Sequence, residues 1–152
     1  MEKEIIYLAA DHAGFEAKKR IIGYLNQRNI EFVDLGAHKY KNDDDYPDYA
    51  FKVAEKVAKH KKAKGILICG TGAGMAIAAN KVKGIRAVEA YDKYSAKMSR
   101  LHNDANILTL RARNVLPGKM LKIVDAWLNT EFSVEERHDR RIRKIMHYEN
   151  KR

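Results

Sequence analysis

The sequence predicts an α/β fold built on a parallel sheet that helices cover on both faces. Short apolar runs rich in β-branched residues alternate five times with segments whose apolar residues recur at helical spacing. This alternation is typical of parallel sheets, because a crossover helix is needed to bring the chain back to the edge where the next strand begins. A length of 152 residues suits one core. We therefore expect residues 1–152 to form a single domain.

Composition narrows the possible function classes. The chain has a formal net charge of +10 and one cysteine, which excludes an internal disulfide. No apolar run approaches the roughly 20 residues that cross a bilayer, and the first residues lack the apolar stretch of a signal peptide. We expect a cytoplasmic protein with no membrane partner. The charge suits a small anionic substrate. We do not expect nucleic-acid binding, because no zinc spacing, RNP-like motif or basic region with heptads accompanies the charge.

The first half of the chain contains two predicted strands. The run Ile5–Ala10 is apolar and partly β-branched, and Asp11-His12-Ala13-Gly14 ends it. A helix and a second strand, residues 31–35, follow. Residues 36–45 have no periodicity, so we expect a loop long enough to overhang a site. Tyr46-Pro47 opens the next helix, because proline is tolerated in a first turn.

The second half repeats the strand and helix pattern three times. The predicted strands are residues 65–69, 85–90 and 105–110. A helix of small residues, 75–80, follows the first of them. Asp92 is placed to cap the helix after the second, which we expect to end near Leu101, and Pro117 starts the helix after the third.

A sixth helix, with no strand after it, lies near the end of the chain. Ser133-Val134-Glu135-Glu136 matches a capping box and predicts its start, so the helix covers about residues 133–150. Arg137 and Arg141 border its apolar side. Two interpretations are open. The helix docks against a partner that also brings an anion, or it packs as an amphipathic tail on its own domain.

One turn carries the clearest chemical signal. Gly70-Thr71-Gly72-Ala73-Gly74 joins a buried strand to a helix, and its three glycines let backbone N–H groups face one small volume. Cys69 stands at the carboxyl end of that strand, where α/β sheets bind ligands. The turn therefore predicts an anion site with a cysteine at its edge. Cysteine is also a frequent packing residue, and such turns occur in many nucleotide-binding folds, so both alternatives stay open.

Further polar residues follow other predicted strands. Asp11 and His12 come after the first strand and Arg113 after the fifth, so a parallel sheet brings them to the same edge as Cys69. His102-Asn103 precedes a strand, and topology alone does not place that pair at this edge.

Each of these residues also has a structural interpretation. Asp11 can cap a turn, the histidines can be ordinary core or surface residues, and Arg113 can simply be exposed. A zinc ion held by Cys69, His12 and His102 is a further alternative, but no metal-binding spacing supports it. We expect no metal.

Several motifs together resemble those of the type B ribose-5-phosphate isomerases, in the wider family that contains the galactose-6-phosphate isomerase subunits. The resemblance runs in register over nearly the whole chain and is carried by Asp11-His-Ala-Gly14, Asp45-Tyr-Pro-Asp-Tyr49, Gly65-Ile-Leu-Ile-Cys-Gly-Thr-Gly-Ala-Gly74, Ala79-Asn-Lys81, Gly84-Ile-Arg-Ala87, Ser99-Arg-Leu-His-Asn-Asp104 and Arg137-His138 with Arg141. It implies a Rossmann-like three-layer sandwich with a five-stranded sheet. It also implies a homodimer, with tetramers left open, in which the last helix crosses to the partner and the active sites lie at the interface.

The resemblance implies aldose–ketose isomerisation of ribose 5-phosphate and ribulose 5-phosphate, a step of the pentose phosphate pathway that needs no cofactor or metal. Cys69 would be the base at C2 and C1, and Thr71 would help move the hydroxyl proton. His102 would open the sugar ring, with Asp11 and Tyr46 binding the sugar. The enediolate would be held by Gly70, Gly72, Ala73, Gly74 and Asn103, and the phosphate by His12 and Arg113 together with Arg137, His138 and Arg141 of the partner.

Two positions refine this resemblance. One branch of the family has a glutamate at position 75 and a small residue at position 69, whereas this chain has Met75 and Cys69, as in the thiol-base branch. The galactose-6-phosphate subunits lack this cysteine. Glu135-Glu136 departs from the small residues that often precede the phosphate-binding arginine. Isomerisation of another aldose phosphate such as allose 6-phosphate, and a non-catalytic sugar-phosphate-binding or nucleotide-binding module, remain as alternatives.

Overall fold

A computed structural model describes residues 3–151 and contains one parallel five-stranded sheet. The strands are β1 (Ile5–Ala10), β2 (Phe32–Asp34), β3 (Ala63–Cys69), β4 (Ala87–Glu89) and β5 (Ile107–Arg111). They lie in the order β2-β1-β3-β5-β4, and every neighbouring pair is parallel. The predicted α/β class and the number of strands are confirmed.

Helices form a layer on each face of the sheet. They are α1 (Phe15–Gln27), α2 (Tyr46–Ala58), α3 (Ala73–Ala79), α4 (Lys93–Asn103), α5 (Pro117–Leu128) and α6 (Glu136–Glu149). Helices α1, α4 and α5 share one buried cluster with the sheet, and α2 and α3 share the other. Helix α6 lies outside this arrangement and packs against α4. None of the helices in residues 3–151 is long and apolar enough to cross a membrane.

Strand β3 lies at the centre of the sheet and is buried along its whole length. Ile66 and Ile68 belong to the cluster under α1, α4 and α5, whereas Leu67 and Cys69 belong to the cluster under α2 and α3. This division follows from the alternation of side chains in a strand. It directs Cys69, the last residue of β3, toward the side where α3 begins.

The bounds of several elements differ from the prediction. Strand β3 starts two residues earlier, at Ala63, and β4 is shortened to three residues. Helix α3 begins at Ala73, because Gly72 with φ of 83° is the last residue outside helical geometry. Helix α4 continues to Asn103 and ends where Asp104 enters the left-handed region.

The predicted caps were partly right. Asp92 caps α4: the N–H of Ser95 donates to its Oδ1 at 2.7 Å. The predicted capping box at Ser133 was wrong. Helix α6 starts at Glu136, and Val134 has a φ of 51°, so the helical backbone cannot extend back to Ser133. The Ser133 hydroxyl instead accepts from the N–H of Glu135 at 3.4 Å, and the helix lacks a side-chain cap.

Candidate active site

A cleft of about 330 Å³ opens at the carboxyl edge of the sheet, where β1 and β3 end side by side. The chain leaves β1 toward the layer of α1 and leaves β3 toward the layer of α3, so the two connections diverge and create a crevice. Eight of the residues predicted from the sequence line it, and we call them the cleft group: Asp11, His12, Tyr46, Cys69, Gly70, Thr71, Gly74 and Arg113.

Cys69 is buried, with 4% of its surface exposed, yet it borders this cleft. It packs among aliphatic residues of the α2 and α3 layer, so the structural interpretation holds in part. Its sulfur accepts a hydrogen bond from the N–H of Gly72 at 3.1 Å. A backbone donor at that distance stabilises negative charge on sulfur, because it supplies a fixed partial positive charge in a dry environment.

The conformation of the glycine turn depends on a left-handed glycine and on hydrogen bonds to two threonine side chains. The positive φ of Gly72 is one that residues with a side chain rarely adopt. The carbonyl of Gly72 accepts from the buried Thr109 hydroxyl at 2.9 Å, and the N–H of Ala73 donates to Thr71 Oγ1 at 3.2 Å. Two of the predicted oxyanion-hole amides, those of Gly72 and Ala73, are thus directed at Cys69 and Thr71. Neither Gly72 nor Ala73 lines the cleft.

Tyr46 closes the cleft over the start of α3. A Cβ added to Gly74 would lie 2.5 Å from Cζ of Tyr46, so the ring rests directly on the glycine backbone. The motif residues Tyr46 and Gly74 therefore depend on each other for their packing.

Asp11 combines a structural and a chemical feature. Its carboxylate accepts from the N–H of Gly14 at 3.2 Å and so caps the turn after β1, as the structural interpretation expected. Only 5% of the residue is exposed. Burial raises the pKa of Asp11, although the Gly14 hydrogen bond and the nearby His12 act in the opposite direction. A carboxyl group of this kind can exchange a proton with a substrate hydroxyl.

Asp44 is hydrogen-bonded to a residue of the cleft group, a contact that the sequence did not reveal. Its Oδ1 accepts from both the backbone N–H and the Nδ1 of His12, at 3.0 and 2.7 Å, and its Oδ2 accepts from the Tyr49 hydroxyl at 3.1 Å. Burial opposes ionisation, but these hydrogen bonds outweigh it and lower the pKa of Asp44. The only sequence signal was a run of three acidic residues in a loop, and His12 lies 32 residues away.

Asp11, His12 and Asp44 are the one group of side chains in residues 3–151 close enough to share a metal ion, with potential ligand atoms within 4.8 Å of one another. The facing atoms of His12 and Asp44 are already hydrogen-bonded to each other, so we assign no metal to them. The zinc alternative fails on geometry within the same part of the chain, because Cys69, His12 and His102 are not brought together there.

Arg113 offers a free positive charge at the cleft. Its guanidinium lies over Gly70, where an added Cβ would approach Nη1 to 2.9 Å. The side chain is exposed and has no hydrogen-bond or ion-pair partner in the described range 3–151. It can therefore bind an anion without first breaking another contact.

The other predicted site residues form a second group on α4 and α6, which we call the helix group: His102, Asn103, Arg137, His138 and Arg141. None of them lines the cleft. Cys69 pairs with Arg111 at the far end of β5, whereas Asn103 precedes the start of β5 at Ile107. Four strand residues correspond to roughly 13 Å. His102 and Asn103 therefore lie near the opposite edge of the sheet from Cys69 of the same chain.

Two histidines join α4 to α6. The rings of His102 and His138 stack, with centroids 4.3 Å apart. Burial, followed by the charges of His102 and Arg137, lowers the pKa of His138. Its buried Nε2 has no hydrogen-bond partner among the described residues, and a Glu135 carboxylate oxygen lies 3.9 Å away. The stack therefore fixes the orientation of the helix group on its own chain.

A larger cleft, of about 700 Å³, lies at the amino-terminal edge of the sheet. Three of its cationic side chains are paired: Lys64 with Glu4, and Arg86 and Arg100 both with Asp104. None of the described residues that line it is a cysteine, serine or threonine. We therefore place the candidate chemistry in the smaller cleft.

Comparison with known proteins identifies the family of the chain. A family model described as Ribose/Galactose Isomerase matches residues 6–145. The chain belongs to the ribose/galactose isomerase family. Ribose-5-phosphate isomerase B of Escherichia coli is 44% identical over 147 residues, which cover 97% of each chain.

Solved members of the ribose/galactose isomerase family have the same fold. The crystal structure of Mycoplasma genitalium ribose-5-phosphate isomerase B with bound ribulose-5-phosphate has a TM-score of 0.96 and 44% identity, and the match covers both chains completely. Ribose-5-phosphate isomerase B of Clostridium thermocellum has a TM-score of 0.92 and 47% identity, covering 97% of this chain and 98% of its own. The Rossmann-like sandwich implied by the resemblance is confirmed.

Two ion pairs lie at the start of α6. Arg137 pairs through Nε with Glu135 at 3.0 Å, and Glu136 pairs with Arg140 at 2.9 Å. Arg141 is exposed and makes no ion pair within residues 3–151. Of the two predicted phosphate-binding arginines on α6, Arg137 is thus already paired, whereas Arg141 is available to bind an anion.

Proposed function

We propose that this protein is an aldose–ketose isomerase that interconverts D-ribose 5-phosphate and D-ribulose 5-phosphate. The observation that carries the proposal is the buried Cys69 sulfur at the edge of a cleft that also contains the Asp11 carboxyl and the unpaired Arg113. Family membership and the activities named for the Escherichia coli and Mycoplasma genitalium relatives support the reaction and the sugar phosphate.

Isomerisation moves one proton between neighbouring carbons without a net change in oxidation state. In the forward direction the Cys69 thiolate takes the proton from C2, and the electron pair of that bond forms the double bond of a cis-enediolate. The thiol then returns the proton to C1. The Gly72 N–H, 3.1 Å from the sulfur, stabilises the thiolate before each transfer.

The enediolate needs donors for its two oxygens. Thr71 is exposed at the cleft, and its hydroxyl can carry the proton from O2 to O1. The Gly70 and Gly74 amides, which line the cleft, and the Asn103 side chain supply hydrogen bonds that strengthen as the oxygen becomes negative. Loss of one such donor typically costs about 3 kcal/mol of barrier.

Ring opening and phosphate binding require the remaining residues. Asp11, with its raised pKa, and His102 exchange protons with the ring oxygen and the anomeric hydroxyl. Arg113 and His12 hold the phosphate from the cleft side, where the arginine fork suits two phosphate oxygens. Tyr46 forms the wall against which the sugar packs.

We further propose that the active enzyme is a homodimer in which the helix group of one chain completes the cleft group of the other. The separation of Cys69 from His102 by the length of β5 supports this, because one chain cannot apply both residues to one sugar. Exposed apolar residues on the two relevant helices, Ile77 of α3 and Ile145 of α6, offer surface for such a contact. Because the base must be a free thiol, we place the enzyme in the reducing cytoplasm.

The first experiment replaces Cys69 by Ala and by Ser in the full chain. We expect kcat for ribose 5-phosphate to fall by about 10³-fold or more in both variants, while sugar-phosphate binding measured by calorimetry changes little. Full turnover in the Cys69→Ala variant would refute the assigned base.

Incubation of the wild-type enzyme in heavy water separates catalysis from binding. An isomerase washes deuterium into C2 of the aldose, whereas a binding module leaves C2 protonated. A parallel panel of five-carbon and six-carbon aldose phosphates tests allose 6-phosphate as the alternative substrate.

A further inference from the structure

Asp44 does not line the cleft, but it is hydrogen-bonded to His12, which does. We propose that Asp44 is a positioning residue that fixes the tautomer and ring orientation of His12, so that Nε2 is presented to the substrate phosphate. This inference rests on the proposed function for the identity of the ligand.

The hydrogen bonds leave His12 little freedom. One carboxylate oxygen of Asp44 accepts from the backbone N–H and from Nδ1 of the same residue, at 3.0 and 2.7 Å. Because one oxygen is bonded to both the backbone and the ring of His12, rotation about the first side-chain torsion of His12 is restricted. The ring of Tyr40, with its centroid 6.5 Å from that of His12 in an edge-on arrangement, packs nearby from the same loop as Asp44.

Asp44 is itself anchored. Its side chain is 6% exposed, and its second oxygen accepts from the Tyr49 hydroxyl at 3.1 Å. Tyr49 belongs to α2, which packs directly on the sheet. The aspartate therefore connects the ring of His12 to a rigid helix, although it lies in a loop.

The proton position follows from the chemistry of the pair. An ionised carboxylate can only accept hydrogen bonds, so Nδ1 of His12 must carry a hydrogen. Nε2 is then left to interact with the cleft, which His12 lines together with the unpaired Arg113. When the ring is protonated, Nε2 donates to a phosphate oxygen, and the Asp44 carboxylate behind it stabilises the positive charge.

The test compares Asp44→Ala, which removes both acceptor oxygens, with Asp44→Asn, which keeps one oxygen for His12 but removes the charge. Asp43→Asn is the matched control, because Asp43 is exposed and its nearest cation, Lys41, lies 3.9 Å away. We expect Asp44→Ala to raise KM for ribose 5-phosphate by about 10-fold or more while kcat changes by less than about threefold. Asp44→Asn should recover part of the loss, and Asp43→Asn should leave both constants unchanged.

Nitrogen-15 NMR of histidine-labelled protein measures the tautomer without any turnover. A His12→Gln variant assigns the His12 signals. We expect the Nδ1–H signature for His12 in the wild type and in Asp44→Asn, and its loss in Asp44→Ala. Inorganic phosphate titrated into the same samples should shift Nε2 of His12 in the wild type.

Two results would overturn the inference: an unprotonated Nδ1 in the wild type, or an unchanged KM in a folded Asp44→Ala protein. If Asp44→Ala does not fold, two measurements still test the inference: the tautomer of His12 in the wild type and the KM of Asp44→Asn. A wild-type KM for Asp44→Asn, together with an Nε2–H tautomer of His12 in that variant, would reject the inference. Failure of the isomerase proposal would instead appear as absent turnover with the His12 tautomer and phosphate shift intact.

Discussion

The cleft group and the helix group are held by different kinds of structure. The cleft group lies on strand ends, at the start of α2 and on a turn in which two amides are already hydrogen-bonded, and its central residues Cys69 and Asp11 are buried. The helix group stands on α4 and α6, where Arg137 and Arg141 are exposed and α6 contacts the rest of the fold mainly through α4. One chain thus holds the proposed carbon base in its own cleft, and it presents the helix group away from that cleft.

This difference matches the chemistry assigned to Cys69 and to the exposed arginines. Proton transfer at carbon requires a base held in a dry, fixed environment, which burial in the sheet provides. Phosphate binding requires positive charge, and an exposed arginine stays hydrated in the absence of the anion, so its charge carries little desolvation cost. Substitutions in both groups test whether the two groups act on one substrate.

The largest effect should come from removing one arginine from each group. Arg113→Gln in the cleft group and Arg141→Gln in the helix group should each raise KM by about 10-fold or more, because each loses a charge-assisted bond to phosphate. If both grip the same phosphate, the double variant should lose less than the product of the two single effects.

The matched control for this pair is Arg140→Gln. Arg140 is on α6 and pairs with Glu136, so we expect its replacement to leave KM unchanged. An unchanged KM in either single variant would show that the arginine it replaces does not bind the substrate phosphate.

A second prediction concerns the cost of burying the cleft group. Burial raises the pKa of Asp11 above its ordinary value of 3.8, so the folded protein binds this proton more tightly than the unfolded chain does. Its favourable contribution is complete below the unfolded pKa and is lost as the pH rises through the folded pKa. We expect Asp11→Asn, which keeps an acceptor for Gly14, to increase the free energy of unfolding at pH 7.

Urea unfolding at several pH values measures this gain. The difference between Asp11→Asn and wild type should shrink as the pH falls toward 3.8, whereas Asp43→Asn should show no such trend. A variant that is less stable than wild type at pH 7 would mean that ionised Asp11 is needed by the fold.

The smallest effect should come from freeing Arg137. Glu135→Gln removes its ion-pair partner, so KM for ribose 5-phosphate should fall. Exposed pairs contribute at most about 1 kcal/mol, which limits the change to about fivefold. Glu136→Gln is the control, because it removes the same charge beside Arg140 instead. An unchanged KM in Glu135→Gln would show that the ion pair does not compete with phosphate.

The sequence predicted the fold better than the arrangement of the site. Strand β1 was predicted with its observed bounds, because a β-branched run ended by polar residues is a strong local signal. The start of α6 was missed because Val134 takes a left-handed conformation that local propensity disfavours. Within the cleft group, Asp11, His12, Cys69 and Arg113 followed from the rule that parallel strands end at one edge, whereas Tyr46 was expected from the family resemblance alone.

Other features of the site depend on contacts that no spacing encodes. Asp44 reaches His12 across 32 residues, and the stack of His102 on His138 joins two helices. The position of His102 relative to Cys69 depends on which edge of the sheet α4 ends at, and the sequence motif alone did not specify it.

Subunit complementation tests the central claim, that each site is shared between two chains. Cys69→Ala and His102→Asn chains carrying different tags are expressed together, and the hybrid dimers are purified through both tags. One of their two sites then combines an intact Cys69 with an intact His102 from the other chain. We predict about half of wild-type activity from these hybrids, although each parent alone is nearly inactive. A hybrid of wild type with the double variant should be nearly inactive, since each of its sites lacks one residue. Inactive first hybrids together with half-active second hybrids would contradict the account and place both residues in one chain's site.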